Sequence, residues 1–175
     1  DIINPITNLS CKRPCRDNYL NQEAVRGDNP AKKARALGIN HVVLEVDDLD
    51  KALEFYGALF EFTLRGKSEH NAFIDLGDQF IQLTLGRSQV ADTKRHFGFV
   101  VDDRDAVRRS MEKLGIKSIN DRLNILDPWG NRIEIVPYDD CQFTKAANIL
   151  KGMAVDAPAK TANATEELKK KGMAP

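Results

Sequence analysis

The chain has 175 residues, with 26 Lys and Arg against 26 Asp and Glu, a formal net charge of zero and a pI near 7.0. That length suits one domain with tails, and the balanced charge leaves no basic footprint for nucleic acid. No apolar run is long enough for a membrane-spanning helix, and three cysteines do not make a disulfide framework.

Residues 1–37 lack sustained periodicity and are rich in Asn, Arg, Asp and Pro. They read as an N-terminal arm, with Ile2, Ile3, Ile6, Leu9 and Leu20 available to bury against a partner subunit. Cys11 and Cys15 flank Lys-Arg-Pro without the further ligands a zinc site needs. They are read as incidental thiols, with a disulfide between them as the alternative. The chain starts at Asp1 and shows no charged-then-apolar signal segment, so the cytoplasm is the expected location.

The core opens at Gly38. Residues 39–46 alternate as a strand, with Val42, Leu44 and Val46 on one face and His41, Val43 and Glu45 on the other. Asp48 is placed to cap a helix whose apolar face is Leu49, Ala52, Leu53, Tyr56, Leu59 and Phe60. Strands are expected at 62–68, 71–76 and 79–85, the last two joined by a turn at Gly77-Asp78.

The same order then recurs. His41-Val-Val-Leu-Glu-Val-Asp-Asp48 is echoed by His96-Phe-Gly-Phe-Val-Val-Asp-Asp103, and Asp75 with 79–83 is echoed by Asp127 with 131–135. A strand is predicted over 95–101. A helix capped by Asp103 follows, with Val107, Met111 and Leu114 on its buried side and Gly115 at its end. Strands near 116–119, 122–127 and 131–136 complete the repeat, with a turn at Asp127-Pro-Trp-Gly130 and Trp129 on its rim. Beyond Pro137, Phe143–Val155 reads as a short amphipathic helix. Asn163 with Glu166 reads as the capping box of a last helix ending at Gly172.

The fold class is therefore α+β: two repeated βαβββ modules, 38–86 and 94–138, forming a curved half-barrel sheet. An arm (1–37) precedes them and a helical C-terminal extension (139–175) follows. In each key strand the apolar alternates face the helices, which puts His41, Gln82, His96 and Glu134 on the other, concave face. Two imidazoles, a carboxylate and an amide oxygen suit one divalent metal: Fe, Mn, Co, Ni or Zn. Glu134, Glu45 and Asp75 are the candidate proton carriers. Arg132 shares Glu134's face and is a candidate contact for an acidic substrate, with a structural salt bridge as the alternative. His70, in a Ser-Glu-His-Asn loop, reads as a surface residue.

Ile39-Asn-His-Val-Val-Leu44, the Glu54-Phe-Tyr56 helix, Arg95-His-Phe-Gly-Phe99 and Leu126-Asp-Pro-Trp-Gly-Asn-Arg-Ile-Glu134 together resemble the vicinal oxygen chelate superfamily. Its members include glyoxalase I, extradiol dioxygenases, methylmalonyl-CoA epimerase, and fosfomycin and bleomycin resistance proteins. The resemblance covers about 38–138. It implies paired βαβββ modules around a metal trough, with His41, His96 and Glu134 on shared ligand positions and Gln82 on a fourth that some members use. The implied activity is lyase, isomerase or oxygenase chemistry on a small molecule with vicinal oxygens, through an enediolate-type intermediate. The alternative is a small-molecule-binding or antibiotic-resistance protein of the same fold. Members of this size are often homodimers. Gln82 replaces the glutamate of glyoxalase I, and an amide is not a base. Asn124 stands where extradiol and fosfomycin-modifying members carry a tyrosine, and it joins Arg132 as a candidate substrate contact.

Overall fold

The computed structural model describes residues 34–173. Ile2, Ile3, Ile6, Leu9, Leu20, Cys11 and Cys15 lie outside that range. The chain divides between Leu37 and Gly38, and the helices and strands of the described residues belong to the second unit.

The first module runs β1 (His41–Val46), α1 (Leu49–Leu59), β2 (Thr63–Lys67), β3 (Asn71–Asp75) and β4 (Phe80–Leu85). Its sheet has the order β1-β4-β3-β2. The pair β1/β4 is parallel, with His41 opposite Phe80 and Val43 opposite Gln82. Asp48 caps α1 as expected: its carboxylate accepts from the backbone N–H groups of Asp50 and Lys51, both at 3.0 Å. The second module runs β5 (Phe97–Val101), α2 (Arg104–Leu114), β6 (Asn124–Leu126) and β7 (Arg132–Pro137), with sheet order β5-β7-β6. Asp103 caps α2 by accepting from Ala106 N–H at 2.9 Å, and Gly115 ends it at φ 68°. A side chain with a Cβ is disfavoured at that angle, which explains the glycine.

The second module has one strand fewer than the repeat predicts. Residues 116–119 form no ladder. Ile116 N–H bonds back to the Met111 carbonyl at 2.9 Å, and Ser118 Oγ donates to the Asn124 carbonyl at 3.2 Å. Helix cap and turn therefore consume the groups a strand would need. Leu114, expected on the buried face of α2, is 50% exposed: the helix ends there, with no further turn to carry that face onto the sheet.

One apolar cluster unites the modules. Leu44, Val46, Ile81 and Leu83 from the first sheet meet Phe99, Ile125, Ile133 and Ile135 from the second, with Tyr56 of α1 and Met111 of α2 among them. Burying each such side chain contributes about 1.5–3 kcal/mol. Phe60 stacks on Phe99 at 4.9 Å across the module boundary. Tyr56 Oη donates to Asp127 Oδ2 at 2.9 Å in the buried interior. Burial and the neighbouring Asp127 carboxylate push the Tyr56 phenol well above its usual range, so it stays a donor.

The extension is less helical than its periodicity suggests. A 3-10 turn (Tyr138–Asp140) is followed by α3 (Ala147–Gly152) and α4 (Ala162–Lys170). The cap of α4 is Thr161, not Asn163. Thr161 Oγ1 accepts from Ala164 N–H at 3.2 Å, while Thr161 N–H is held by the Asp139 carbonyl at 2.9 Å. That tertiary anchor starts the helix two residues early. Lys160 Nζ donates to the carbonyls of Cys141 (3.1 Å) and Phe143 (2.7 Å) and covers the Tyr138 ring at 3.6 Å. Burial lowers its pKa, although the Cys141 thiol and the Asp139 carboxylate act against that shift.

The α3 segment rests on the β3–β4 turn. A Cβ on Gly77 would stand 2.6 Å from Met153 Sδ and 2.9 Å from Ile149 Cγ2, and Gly77 has φ 82°. Lys145 pairs with Asp78 in the same turn. Replacing Gly77 with Ala is expected to cost about 1–3 kcal/mol, from the angle and the overlap together. It should also speed proteolysis within 141–155. Unchanged stability and cleavage would show that α3 does not depend on this contact.

Candidate metal centre

Parity does place the four predicted side chains on the sheet faces turned away from the helices. Their apolar neighbours Leu44, Ile81, Leu83, Phe99, Ile133 and Ile135 are all buried, while His41, Gln82, His96 and Glu134 keep solvent access. Sheet geometry then decides which of them meet.

His96 and Glu134 meet. In the β5/β7 pair, Gly98 lies opposite Glu134, and His96 precedes Gly98 by one step on the same face. Gly98 adds no side chain beside Glu134, and His96 Nε2 lies 3.2 Å from Glu134 Oε2. The other ring nitrogen, Nδ1, is 2.9 Å from the Lys94 carbonyl. Both neighbours only accept, so a neutral ring that donates Nδ1–H to the carbonyl turns its Nε2 lone pair to the carboxylate. Two lone-pair atoms so placed call for a cation between or beside them, either a proton or a metal.

His41 is held in the same manner on the other sheet. Its Nδ1 lies 3.0 Å from Asn40 Oδ1, and its ring stacks on Phe80 at 4.7 Å, 8° from parallel. Arg65 also sits over the Phe80 ring, at 4.4 Å. Gln82 Nε2 donates to Asn71 Oδ1 at 2.8 Å and Thr84 Oγ1 at 3.0 Å, so its Oε1 is the atom left to ligate. Among the described residues, no group of three His, Cys, Asp or Glu side chains converges. Within one chain, then, His41 does not join the His96–Glu134 pair.

The other candidates have different work. Glu45 Oε2 accepts from Ser88 N–H (2.9 Å) and Ser88 Oγ (3.2 Å). Chiefly because of that backbone bond, with burial opposing it, its pKa is lowered, which makes it a weaker base. It anchors the loop between the modules. Asp75 pairs with Arg65. Asn124 is 1% exposed; its Oδ1 accepts from Arg132 Nε at 2.9 Å and its Nδ2 donates to Asn120 Oδ1 at 3.1 Å. Arg132 also donates to the Thr93 carbonyl. Asn124 and Arg132 thus hold one another, through Nε, while Nη1 holds the Thr93 carbonyl.

Sequence reading missed the groups that orient these side chains: Asn40, Asn71, Thr84 and the Lys94 carbonyl. Asn71 and Thr84 share Gln82's face by the same parity and were open to discovery once the register is known. The Lys94 carbonyl has no sequence signal, because every residue has one.

Comparison with known proteins places the molecule in its class. The family model for the Glyoxalase/Bleomycin resistance protein/Dioxygenase superfamily matches residues 38–135, and the chain belongs to that superfamily. Among curated relatives, the metallothiol transferase FosB of Bacillus licheniformis is 24% identical over 116 residues, 58% of this chain and 75% of that protein. The glutathione transferase FosA of Serratia marcescens is 27% identical over 111 residues, 55% of this chain and 78% of that protein. Among solved structures, FosX of Listeria monocytogenes superposes with a TM-score of 0.52 at 20% identity, over 58% of this chain and 90% of that one. That structure is of a mutant fosfomycin resistance protein complexed with Mn(II) and a dihydroxypropylphosphonic acid. The lactoylglutathione lyase of Agrobacterium tumefaciens gives a TM-score of 0.51 at 24% identity, over 59% and 96% of the two chains. At these identities the structural matches establish the fold.

Proposed function

We propose that this chain is a metal-dependent enzyme acting on a small molecule with neighbouring oxygen atoms. Its metal centre would be completed between two copies: His96 and Glu134 from one, His41 with Gln82 from the other. The observation that carries this reading is the His96 Nε2–Glu134 Oε2 approach at 3.2 Å, with His96 Nδ1 already engaged. Ligand bonds of about 2.1 Å at a right angle span an edge of about 3.0 Å, so the two atoms fit adjacent positions on one ion. A protein site needs at least a third ligand. His41, oriented in the same way on an equally open sheet face, is the matching residue.

A divalent ion bound there would polarise the chelated oxygens of a substrate. The chain's own groups do the rest. Asn40 and Lys94 hold the imidazoles, Asn71 and Thr84 hold the Gln82 amide, and Gly98 leaves room beside Glu134. With Glu45 and Asp75 committed elsewhere, Glu134 is the carboxylate left at the site. Any proton transfer there falls to it or to the substrate's own partner.

The finer reading is transfer of a thiol, the activity named in the curated relatives, to fosfomycin, the compound to which the FosX relative is a resistance protein. The test is direct. Protein supplied with Mn(II) is mixed with fosfomycin and either L-cysteine or glutathione, and adduct formation is followed by phosphorus NMR. Metal-dependent adduct supports the finer reading. Tight metal binding without adduct discards thiol transfer and keeps the metal centre. Absence of tight divalent-metal binding discards both.

A further inference from the structure

We propose that Arg132 and Asn124 are positioning residues: together they hold the backbone carbonyl that fixes the His96 ring. This rests on the reading of His96 as a metal ligand, and it gives a structural role to two residues also expected as substrate contacts.

The Lys94 carbonyl belongs to a connection without regular structure, residues 86–96. Such a carbonyl orients an imidazole only if its own segment is held. The segment is laid on the turn that leads into β7. Asp92 N–H donates to the Gly130 carbonyl at 2.8 Å, and Arg132 N–H donates to Asp92 Oδ2 at 3.2 Å. The Arg132 guanidinium donates to the Thr93 carbonyl, one residue before Lys94. Gly130 completes the fit: a Cβ there would stand 2.6 Å from Ala91 Cβ.

The guanidinium is itself seated. Its Nε donates to Asn124 Oδ1 at 2.9 Å, and Asn124 is tied through Nδ2 to Asn120. A planar guanidinium reaches both acceptors at once, whereas a lysine ammonium on its flexible stem does not. Leu123, just before Asn124, is a bulky residue in the left-handed region at φ 57°, and it is 2% exposed. Backbone in that state persists where its surroundings impose it. Here the turn buries Asn124 beneath Arg132, and the Leu123 carbonyl accepts from Ile135 N–H at 3.0 Å, next to Glu134. One strained residue thus braces the supports of both ligands.

The test reads the ring directly. Read in the Glu134→Gln background, where no carboxylate competes for the ring hydrogen, long-range proton–nitrogen NMR of the metal-free chain at alkaline pH reports the His96 tautomer. With Arg132 and Asn124 intact, the hydrogen is expected on Nδ1. Arg132→Met and Asn124→Leu are expected to give mixed tautomers there and, with Glu134 present, to weaken Mn(II) binding by about 10–100-fold. Asn124→Asp, which keeps the acceptor for Arg132, is expected to retain the Nδ1–H form. Arg132→Lys keeps the charge and decides the matter should Arg132→Met unfold; it too is expected to lose the single tautomer. If Arg132→Lys and Asn124→Leu both retain the Nδ1–H tautomer and wild-type Mn(II) affinity, the positioning role is overturned. If wild type binds no Mn(II) while the tautomer still responds to these variants, the metal reading fails and the positioning stands.

Discussion

Glu134→Gln is expected to leave the protein folded and to remove tight divalent-metal binding. The side chain is on the open face of β7, about a quarter exposed, and its charge partner is a half-exposed imidazole. Surface changes of this kind move stability by about 0.5 kcal/mol or less. The metal would lose its anionic ligand and keep only neutral ones. A loosening of Mn(II) binding by at least about 100-fold, or roughly 2.7 kcal/mol, is expected by calorimetric titration. Glu45→Gln and Asp75→Asn are the controls. One carboxylate anchors a loop through Ser88 and the other pairs with Arg65, so each is expected to shift metal affinity by less than about 3-fold. A large loss in either control with Glu134→Gln unaffected would move the centre elsewhere.

Asp127→Ala is expected to be the most destabilising single substitution among the polar residues discussed. The carboxylate is nearly buried, at 4% exposure, and accepts four hydrogen bonds. They come from Tyr56 Oη at 2.9 Å, Trp129 N–H at 3.0 Å, and Asn131 N–H and Nδ2, both at 2.7 Å. Removing it strands these donors, of which the Tyr56 hydroxyl lies too deep for water to replace the bond. A cost of about 3–5 kcal/mol is expected, and a fall in Tm of roughly 10 °C. Tyr56→Phe removes one donor and leaves Asp127 three partners, so about 1–2 kcal/mol is expected. Because Tyr56 belongs to the first module and Asp127 to the second, the coupling between the two substitutions measures how firmly the modules are joined. Near-zero coupling would leave the apolar cluster and the Asn131 Nδ2–Glu45 carbonyl hydrogen bond to join them.

Local chemistry was legible in the sequence. The caps at Asp48, Asp103 and Gly115 and the turns at Gly77 and Gly130 depend on neighbours within a few residues. Strand faces were legible too, because one side of each sheet is covered and the two-residue period is strict. What failed depends on distant partners. The repeat implies a strand near 116–119, but the end of α2 and Ser118 take up the hydrogen-bonding groups there. Asn163 and Glu166 have capping-box spacing, but Asp139 anchors the helix start at Thr161. Glu45 and Asp75 also have partners that nothing in their own strands shows: Ser88 donates to the one and Arg65 pairs with the other. Parity also assigns a residue to a face without saying which sheet that face will meet. For that reason the sequence suggested one four-residue centre, and the structure brings His96 to Glu134 and leaves His41 on the other sheet.

The central claim is that one centre draws on two copies of the chain. It is tested by mixing His41→Ala protein with Glu134→Gln protein, neither of which should bind Mn(II) tightly alone. After subunit exchange, each mixed dimer would hold one intact site and one doubly altered site. Random pairing then restores about one quarter of the wild-type sites. Recovery of that fraction is the predicted result. Tight binding by His41→Ala protein alone, or no recovery after exchange, would contradict the account.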